Sequence, residues 1–169
     1  PDNCIQCNFC SYVCPHAVIR PVAMTEAEAE AAPASTKLVD LRGVEGYKFG
    51  IVISPYDCSG CGSCANICPA GAKDPARKAL VMKPFEGQKT EHFAFEYAQS
   101  LPEKAEVLEK YKETTVKGSQ FKKPYLEFYG ACAGCGETPY AKLVTQLYGN
   151  KMYIANATGC SSIWGNSAP

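Results

Sequence analysis

The 169-residue chain has no excess of charge: 17 lysines and arginines balance 17 aspartates and glutamates. Without a net field, nothing favours nucleic acid or an anionic membrane surface as a partner. Apolar runs long enough to span a membrane are absent as well. Histidine is scarce. His16 and His92 are isolated, and neither has a carboxylate or nucleophile at a spacing that serves acid–base or nucleophilic catalysis. His16, which follows a Cys-Pro step, is expected at the surface or beside a ligand. No secretory leader is expected ahead of the first cysteine. Asp2 and Asn3 run straight into that cysteine, and the last residues, Ile163 to Pro169, read as a loop. Both ends read as cut, so a segment of a longer polypeptide is expected.

Cysteine, by contrast, is abundant, and eight of the eleven fall into two copies of one string. Cys4, Cys7, Cys10 and Cys14 precede Pro15, and Cys58, Cys61, Cys64 and Cys68 precede Pro69, each as C-x2-C-x2-C-x3-C-P. A disulfide framework suits short secreted chains, and cysteines this close cannot pair sensibly within a run. Zinc sites also use C-x2-C pairs, usually with a long gap between the pairs, and need four ligands. Three thiolates at every third residue can cap three corners of a small cube, while the trailing Cys-Pro turns outward to a neighbour. That is the spacing of a pair of 4Fe–4S clusters, in which the fourth cysteine of each run ligates the other cluster. The expected ligand sets are therefore Cys4, Cys7, Cys10 and Cys68 for one, and Cys58, Cys61, Cys64 and Cys14 for the other. Cysteines that hold metal as thiolates point to a reducing compartment, the cytoplasm or an anaerobic equivalent.

Apolar, strand-like residues flank both runs: Ala17 to Met24 after the first, Ile51 to Ile53 before the second, Ala79 to Met82 after it. The repetition predicts an α+β, ferredoxin-like dicluster domain with pseudo-twofold halves over residues 1–88. Thr25 to Pro33 reads more as a solvated insertion loop than as a helical turn, and the long gap between the halves predicts an inserted hairpin or loop. Residues 89–124 read as a helical connector. Phe93, Phe95, Tyr97 and Ala98 give it one apolar face, Ser100 to Glu103 has the form of a capping box, and Gly118 ends the run.

Three cysteines remain. Cys132 and Cys135 lie on a glycine-rich loop ahead of Thr138-Pro139, an N-cap and first-turn signal for a helix to Tyr148. Met152 to Ala155 then reads as a strand, followed by a Gly-rich loop carrying Cys160, so residues 125–169 have the order of an open α/β sheet with a ligand loop at a strand's carboxyl end. Taken alone, Cys132 and Cys135 also suit a redox pair or a zinc half-site, and Cys160 a small buried apolar residue. Three thiolates are one short of a cubane: either a water or another group caps the fourth iron, or the missing ligand lies beyond Pro169, which is the reading expected here.

The order dicluster module, then Ala131-Cys132-Ala133-Gly134-Cys135-Gly136-Glu137, then Ala157-Thr158-Gly159-Cys160 through Trp164-Gly165 resembles pyruvate:ferredoxin (flavodoxin) oxidoreductase across the whole chain. The resemblance implies that residues 125–169 begin a thiamine-diphosphate-binding α/β domain. It implies that Cys132, Cys135 and Cys160 are three ligands of a third 4Fe–4S cluster, and that Glu137 and Cys160 lie near the thiamine. Glu137 also suits a plain helix N-terminal carboxylate. The activity implied is oxidative decarboxylation of pyruvate with coenzyme A to acetyl-CoA and CO2. Its electrons would pass through three clusters to ferredoxin or flavodoxin, in an enzyme that is a homodimer. A stand-alone dicluster carrier, or an oxidoreductase for another 2-oxoacid, are the rival readings.

The Gly-Asp-Gly segment with a later Asn that binds Mg2+ and diphosphate in that family does not occur here, nor do its substrate arginine and thiamine-activating carboxylate. This segment alone is therefore expected to carry electrons without turning over pyruvate. Ser59, Gly60, Gly62 and Ser63 are small where Ile5, Gln6, Asn8 and Phe9 are bulky, which predicts different reduction potentials for the two centres. Electrochemical titration should resolve two midpoints, and one shared midpoint would contradict this.

Overall fold

The computed structural model describes residues 2–72 and 74–165. The first cysteine run leads into a one-turn helix α1 (Phe9–Tyr12), followed by strand β1 (Ile19–Thr25), helix α2 (Glu26–Ala31), and strands β2 (Leu38–Asp40) and β3 (Tyr47–Ile53). The second run carries α3 (Ser63–Ile67). Helices α4 (Glu91–Ser100), α5 (Ala105–Lys110) and α6 (Val116–Ser119) come next, then α7 (Thr138–Tyr148) and α8 (Cys160–Trp164).

The strands form one antiparallel sheet in the order β1-β3-β2. Ile19 stands opposite Ile53, Thr25 opposite Tyr47, and Leu38 opposite Gly50. Both faces are covered, which is why β1 reads as an apolar run rather than an alternation. On one face Val22, Met24 and Val52 pack against Ala94 and Phe95 of α4. On the other, Ala23 and Phe49 pack against Leu41 and against Val107 of α5. A third cluster joins Cys14, Val18 and Ile19 to Cys10, Cys64 and Leu80. The apolar core thus runs directly up to the sulfurs.

The inserted hairpin is there as β2 and β3, but the segment expected to be a solvated loop forms helix α2. Thr25 caps it reciprocally: Glu28 N donates to Thr25 Oγ1 (3.3 Å), and Thr25 N donates to Glu28 Oε2 (2.8 Å). Lys104 (2.5 Å from Glu28 Oε1) and the Tyr97 hydroxyl (2.8 Å from Glu28 O) fix α2 to the layer beneath.

Ala79 to Met82 form no strand. Both edges of β3 are taken by β1 and β2, and Leu80 instead drops into the core beside Cys14. The stretch from 90 to 120 divides into three short helices. Leu101, extended ahead of Pro102, ends α4. Ser100 donates to Tyr97 O, and Glu103 accepts from Lys123 N (2.7 Å), so the expected capping box does not form. Phe95 and Tyr97 pack inward, whereas Phe93 is 60% exposed. Gly118 lies within α6 rather than after it.

Helix α7 spans the residues expected, but Glu137, not Thr138, is its N-cap. It packs inside out: Lys142, Thr145 and Gln146 are buried, while Tyr140, Val144 and Tyr148 are exposed. Met152 to Ala155 do not form a strand and pair with none among the described residues; Tyr153 is fully exposed. A strand of an open sheet holds its shape only through hydrogen bonds to a neighbour. Residues 166–169 of the 125–169 unit lie outside the described residues.

Phe49 at the sheet centre should dominate stability. Phe49→Ala is expected to cost about 3–5 kcal/mol, against roughly 1 kcal/mol for Thr25→Ala at the α2 cap. Anaerobic denaturant titration of the two variants checks that ranking.

Candidate metal centres

All eight cysteines of the two runs line a single cavity of about 680 Å³ between the β1–β3 sheet edge, α1 and α3. Cys10 rides on α1 and Cys64 on α3, two helical turns that pack against each other. Equivalent positions of the two runs share a backbone conformation that their side chains do not announce. Gly60 and Gly62 have φ of 67° and 78°, and their counterparts Gln6 and Asn8 have φ of 59° and 63°. After the Cys-Pro steps, Ala17 and Gly71 likewise match, at 55° and 88°.

A left-handed residue other than glycine costs roughly 1–2 kcal/mol, and in the first run side-chain bonds hold it. Gln6, 2% exposed, donates to Asp40 O (2.8 Å) and accepts from Arg42 N (3.0 Å). Asn8, 1% exposed, donates to Lys117 O (2.9 Å). Arg20 braces the turn at Ala17: Nε donates to Ala17 O (2.8 Å), Nη1 to Gln99 Oε1 (2.7 Å), and Nη2 pairs with Glu127. The expected contrast between bulky and small loops is therefore one of side-chain anchoring, laid over the same backbone turn.

Electrostatics fit a cationic occupant. Burial first, and then the Cys4 and Cys7 sulfurs, push the Cys10 thiol up to about 12. Burial and Cys14 do the same to Cys64, to about 11. Such sulfurs ionise together only when metal binding releases their protons. Cys61 differs: burial is outweighed by hydrogen bonding from Ser63 and from the Gly134 N–H, and its pKa falls. Among the described residues no three Cys, His, Asp or Glu side chains close on a point as one ion requires. The sulfurs instead wall a volume, and an all-thiolate donor set of this kind suits iron–sulfur cubanes.

The third cysteine loop is docked onto the second run. A methyl group added at Gly134 (φ 72°) would lie 3.6 Å from Cys61 Cβ and 3.7 Å from Ser63 Oγ. His16 secures the contact and is buried rather than at the surface. Its Nε2 donates to Ala131 O (2.8 Å), Nδ1 lies 3.4 Å from Ser59 Oγ, and its carbonyl accepts from Phe128 N (3.1 Å). His92 stands apart on α4, 3.3 Å from Glu96 and edge-on to Tyr56.

Cys135 sits at the N-terminus of α7. Burial raises its pKa, but the N–H groups of Thr138 and Glu137 outweigh it and draw the thiol below its ordinary value. Glu137 Oε2 accepts from Trp164 Nε1 (3.2 Å), and Trp164 packs on Tyr129 (5.7 Å between rings). The helix that begins at Cys160 is thereby tied to the loop that bears Cys132 and Cys135. Cys132 and Cys160 are exposed.

Lys142 of α7 gave no signal in the sequence, where a lysine on a helix reads as solvated. It is 1% exposed, and its ammonium donates to Ser11 O and to Cys14 O (3.3 Å). Burial pulls its pKa down to about 8, against the pull of the Cys14 sulfur. Around it the Ser11 hydroxyl donates to Gln120 (2.9 Å), and Gln120 donates to Gln146 (3.1 Å). This buried polar seam joins α1 to α7, and it is the reason α7 packs inside out.

Residues 3–72 match the family described as a 4Fe-4S dicluster domain. The chain is 56% identical over 168 residues to a pyruvate-flavodoxin oxidoreductase of Enterobacter agglomerans, covering 99% of this chain and 14% of the relative. It is 56% identical over 172 residues to a pyruvate:ferredoxin oxidoreductase of Moorella thermoacetica, covering 100% and 14%. Against a pyruvate dehydrogenase (NADP+) of Cryptosporidium parvum, identity is 48% over 171 residues, covering 99% and 8%. The chain thus spans about one seventh of the length of the first two relatives.

The exchange of fourth ligands expected from the spacing has a specific consequence. Cys14→Ala should remove or degrade the centre held by Cys58, Cys61 and Cys64 while leaving that of Cys4, Cys7 and Cys10. EPR of the reduced protein checks this, and loss of the Cys4–Cys10 centre instead would contradict the exchange.

Proposed function

The chain is homologous along its whole length to one segment of the pyruvate:ferredoxin and pyruvate-flavodoxin oxidoreductases, and from that premise we propose that it is the electron-transfer segment of such an enzyme. Its residues 3–72 form a 4Fe–4S dicluster domain with a small antiparallel sheet, whose faces α4 and α5 cover. The complete enzyme decarboxylates pyruvate oxidatively with coenzyme A, and delivers the electrons to ferredoxin or flavodoxin.

Cys4, Cys7, Cys10 and Cys68 hold one cluster, and Cys58, Cys61, Cys64 and Cys14 the other. Cys132, Cys135 and Cys160 hold three corners of a third, with a further cysteine of the complete polypeptide as the fourth ligand. Bound there, the clusters supply one-electron chemistry at low potential, and thiamine diphosphate with Mg2+, in the domain that begins near residue 125, supplies an electron sink.

The chain's own residues provide order and insulation. The observation that carries the reading is the docking of the Cys132–Cys135 loop, through Gly134, directly against Cys61. That packing sets the third site next to the second run, with the first run beyond it in the shared cavity. His16, fixed between Ser59 and Ala131, keeps the two loops in register. Val18, Ile19 and Leu80 pack against buried Cys14 and half-buried Cys10 and Cys64 and limit the access of water to their sulfurs. A stand-alone carrier has no use for a third thiolate loop held in this way. The likeness to a pyruvate dehydrogenase (NADP+) favours one variation, in which the same segment feeds another acceptor.

Iron and acid-labile sulfide analysis, with EPR of the reduced protein, tests the reading. Two centres are expected in this segment and three in the complete polypeptide. Zinc or cystine in place of iron and sulfide would overturn it.

A further inference from the structure

We propose that Lys142 is a positioning residue of the second cluster, a fixed positive charge that clamps the Cys14 turn and raises the affinity of that centre for an electron. The inference rests on the ligand assignment above. A buried ammonium needs a counter-charge, because leaving one unpaired costs several kcal/mol. Lys142 lies within 4.0 Å of no carboxylate among the described residues. Its bonds run to two carbonyls, Ser11 O and Cys14 O. The other buried cation near Cys14 is Arg20, and Glu127 neutralises it. Lys142 is therefore the unmatched charge of this interior, held by its bonds to the Ser11 and Cys14 carbonyls at the turn that bears the Cys14 thiolate ligand.

Four thiolates around an iron–sulfide core carry net negative charge, which grows by one unit when the centre accepts an electron. A cation held beside that core in a low-dielectric interior favours the reduced form. The carbon stem of Lys142 comes from α7, immediately after the third cysteine loop. The unit that bears the third site thus sets the electron affinity of the second.

The test uses the complete iron-loaded polypeptide, with EPR-monitored redox titration of the parent, Lys142→Gln and Lys142→Arg. Gln keeps a donor for the two carbonyls and removes the charge; Arg keeps both. The second centre is identified as the signal lost in Cys14→Ala. In Lys142→Gln this centre is expected to lose at least ten-fold in electron affinity, 59 mV for a one-electron couple. The Cys4–Cys10 centre should shift less, with iron content unchanged, and Lys142→Arg should stay within about two-fold of the parent by the same relation. Iron loss from the Gln variant alone would also support the proposal, since charge would then be what holds the centre. A parental potential in Lys142→Gln, an Arg variant as low as Gln, or iron loss from both would overturn it. A parent that shows no iron–sulfur signals would instead sink the assignment of clusters on which the proposal rests.

Discussion

Thiolates repel one another, and eight of them brought to one partly buried cavity need positive charge between them. The structure meets that demand at the backbone first. Both runs turn through left-handed residues at the same two places, so that short helical turns carry Cys10 and Cys64 toward each other. Around this pair the sheet, α4 and α5 build an ordinary apolar core that ends at the sulfurs. Burial first, and then the neighbouring sulfurs, raise the thiol pKa values of Cys10 and Cys64, so both resist ionising.

The two halves reach one geometry by different means. The second run uses glycine, for which a positive φ carries no steric penalty. The first uses Gln6 and Asn8, whose buried amides bond to Asp40, Arg42 and Lys117. Those partners belong to the β2 end and to α6, so the first site is braced by the inserted hairpin and by a helix distant in sequence. The second site is braced by the third cysteine loop, through Gly134 and His16. Each site therefore depends on a different part of the chain for its stiffness.

Much of this was legible in the residues. Spacing alone named the eight cysteines, and apolar runs located β1 and β3. Burial of Gln6, Asn8, His16 and Lys142 was not legible, because polar side chains at those positions are ordinarily solvated and only tertiary partners bring them inside. Ala79 to Met82 and Met152 to Ala155 have strand composition without a strand, since a ladder needs a free neighbouring edge that composition cannot report. The α2 capping box stands in the sequence as Thr25 and Glu28, three residues apart, a start signal that points to helix rather than to a solvated insertion. Helix α7 was placed correctly along the chain, yet its orientation depends on the buried seam of Ser11, Gln120 and Gln146.

The most direct examination of the central claim is anomalous diffraction at the iron edge from anaerobic crystals of the loaded protein. Two iron peaks are expected inside the cavity, one beside Cys4, Cys7, Cys10 and Cys68, the other beside Cys58, Cys61, Cys64 and Cys14. Peaks at the zinc edge, or iron bound by Cys14 and Cys68 each within its own run, would contradict it.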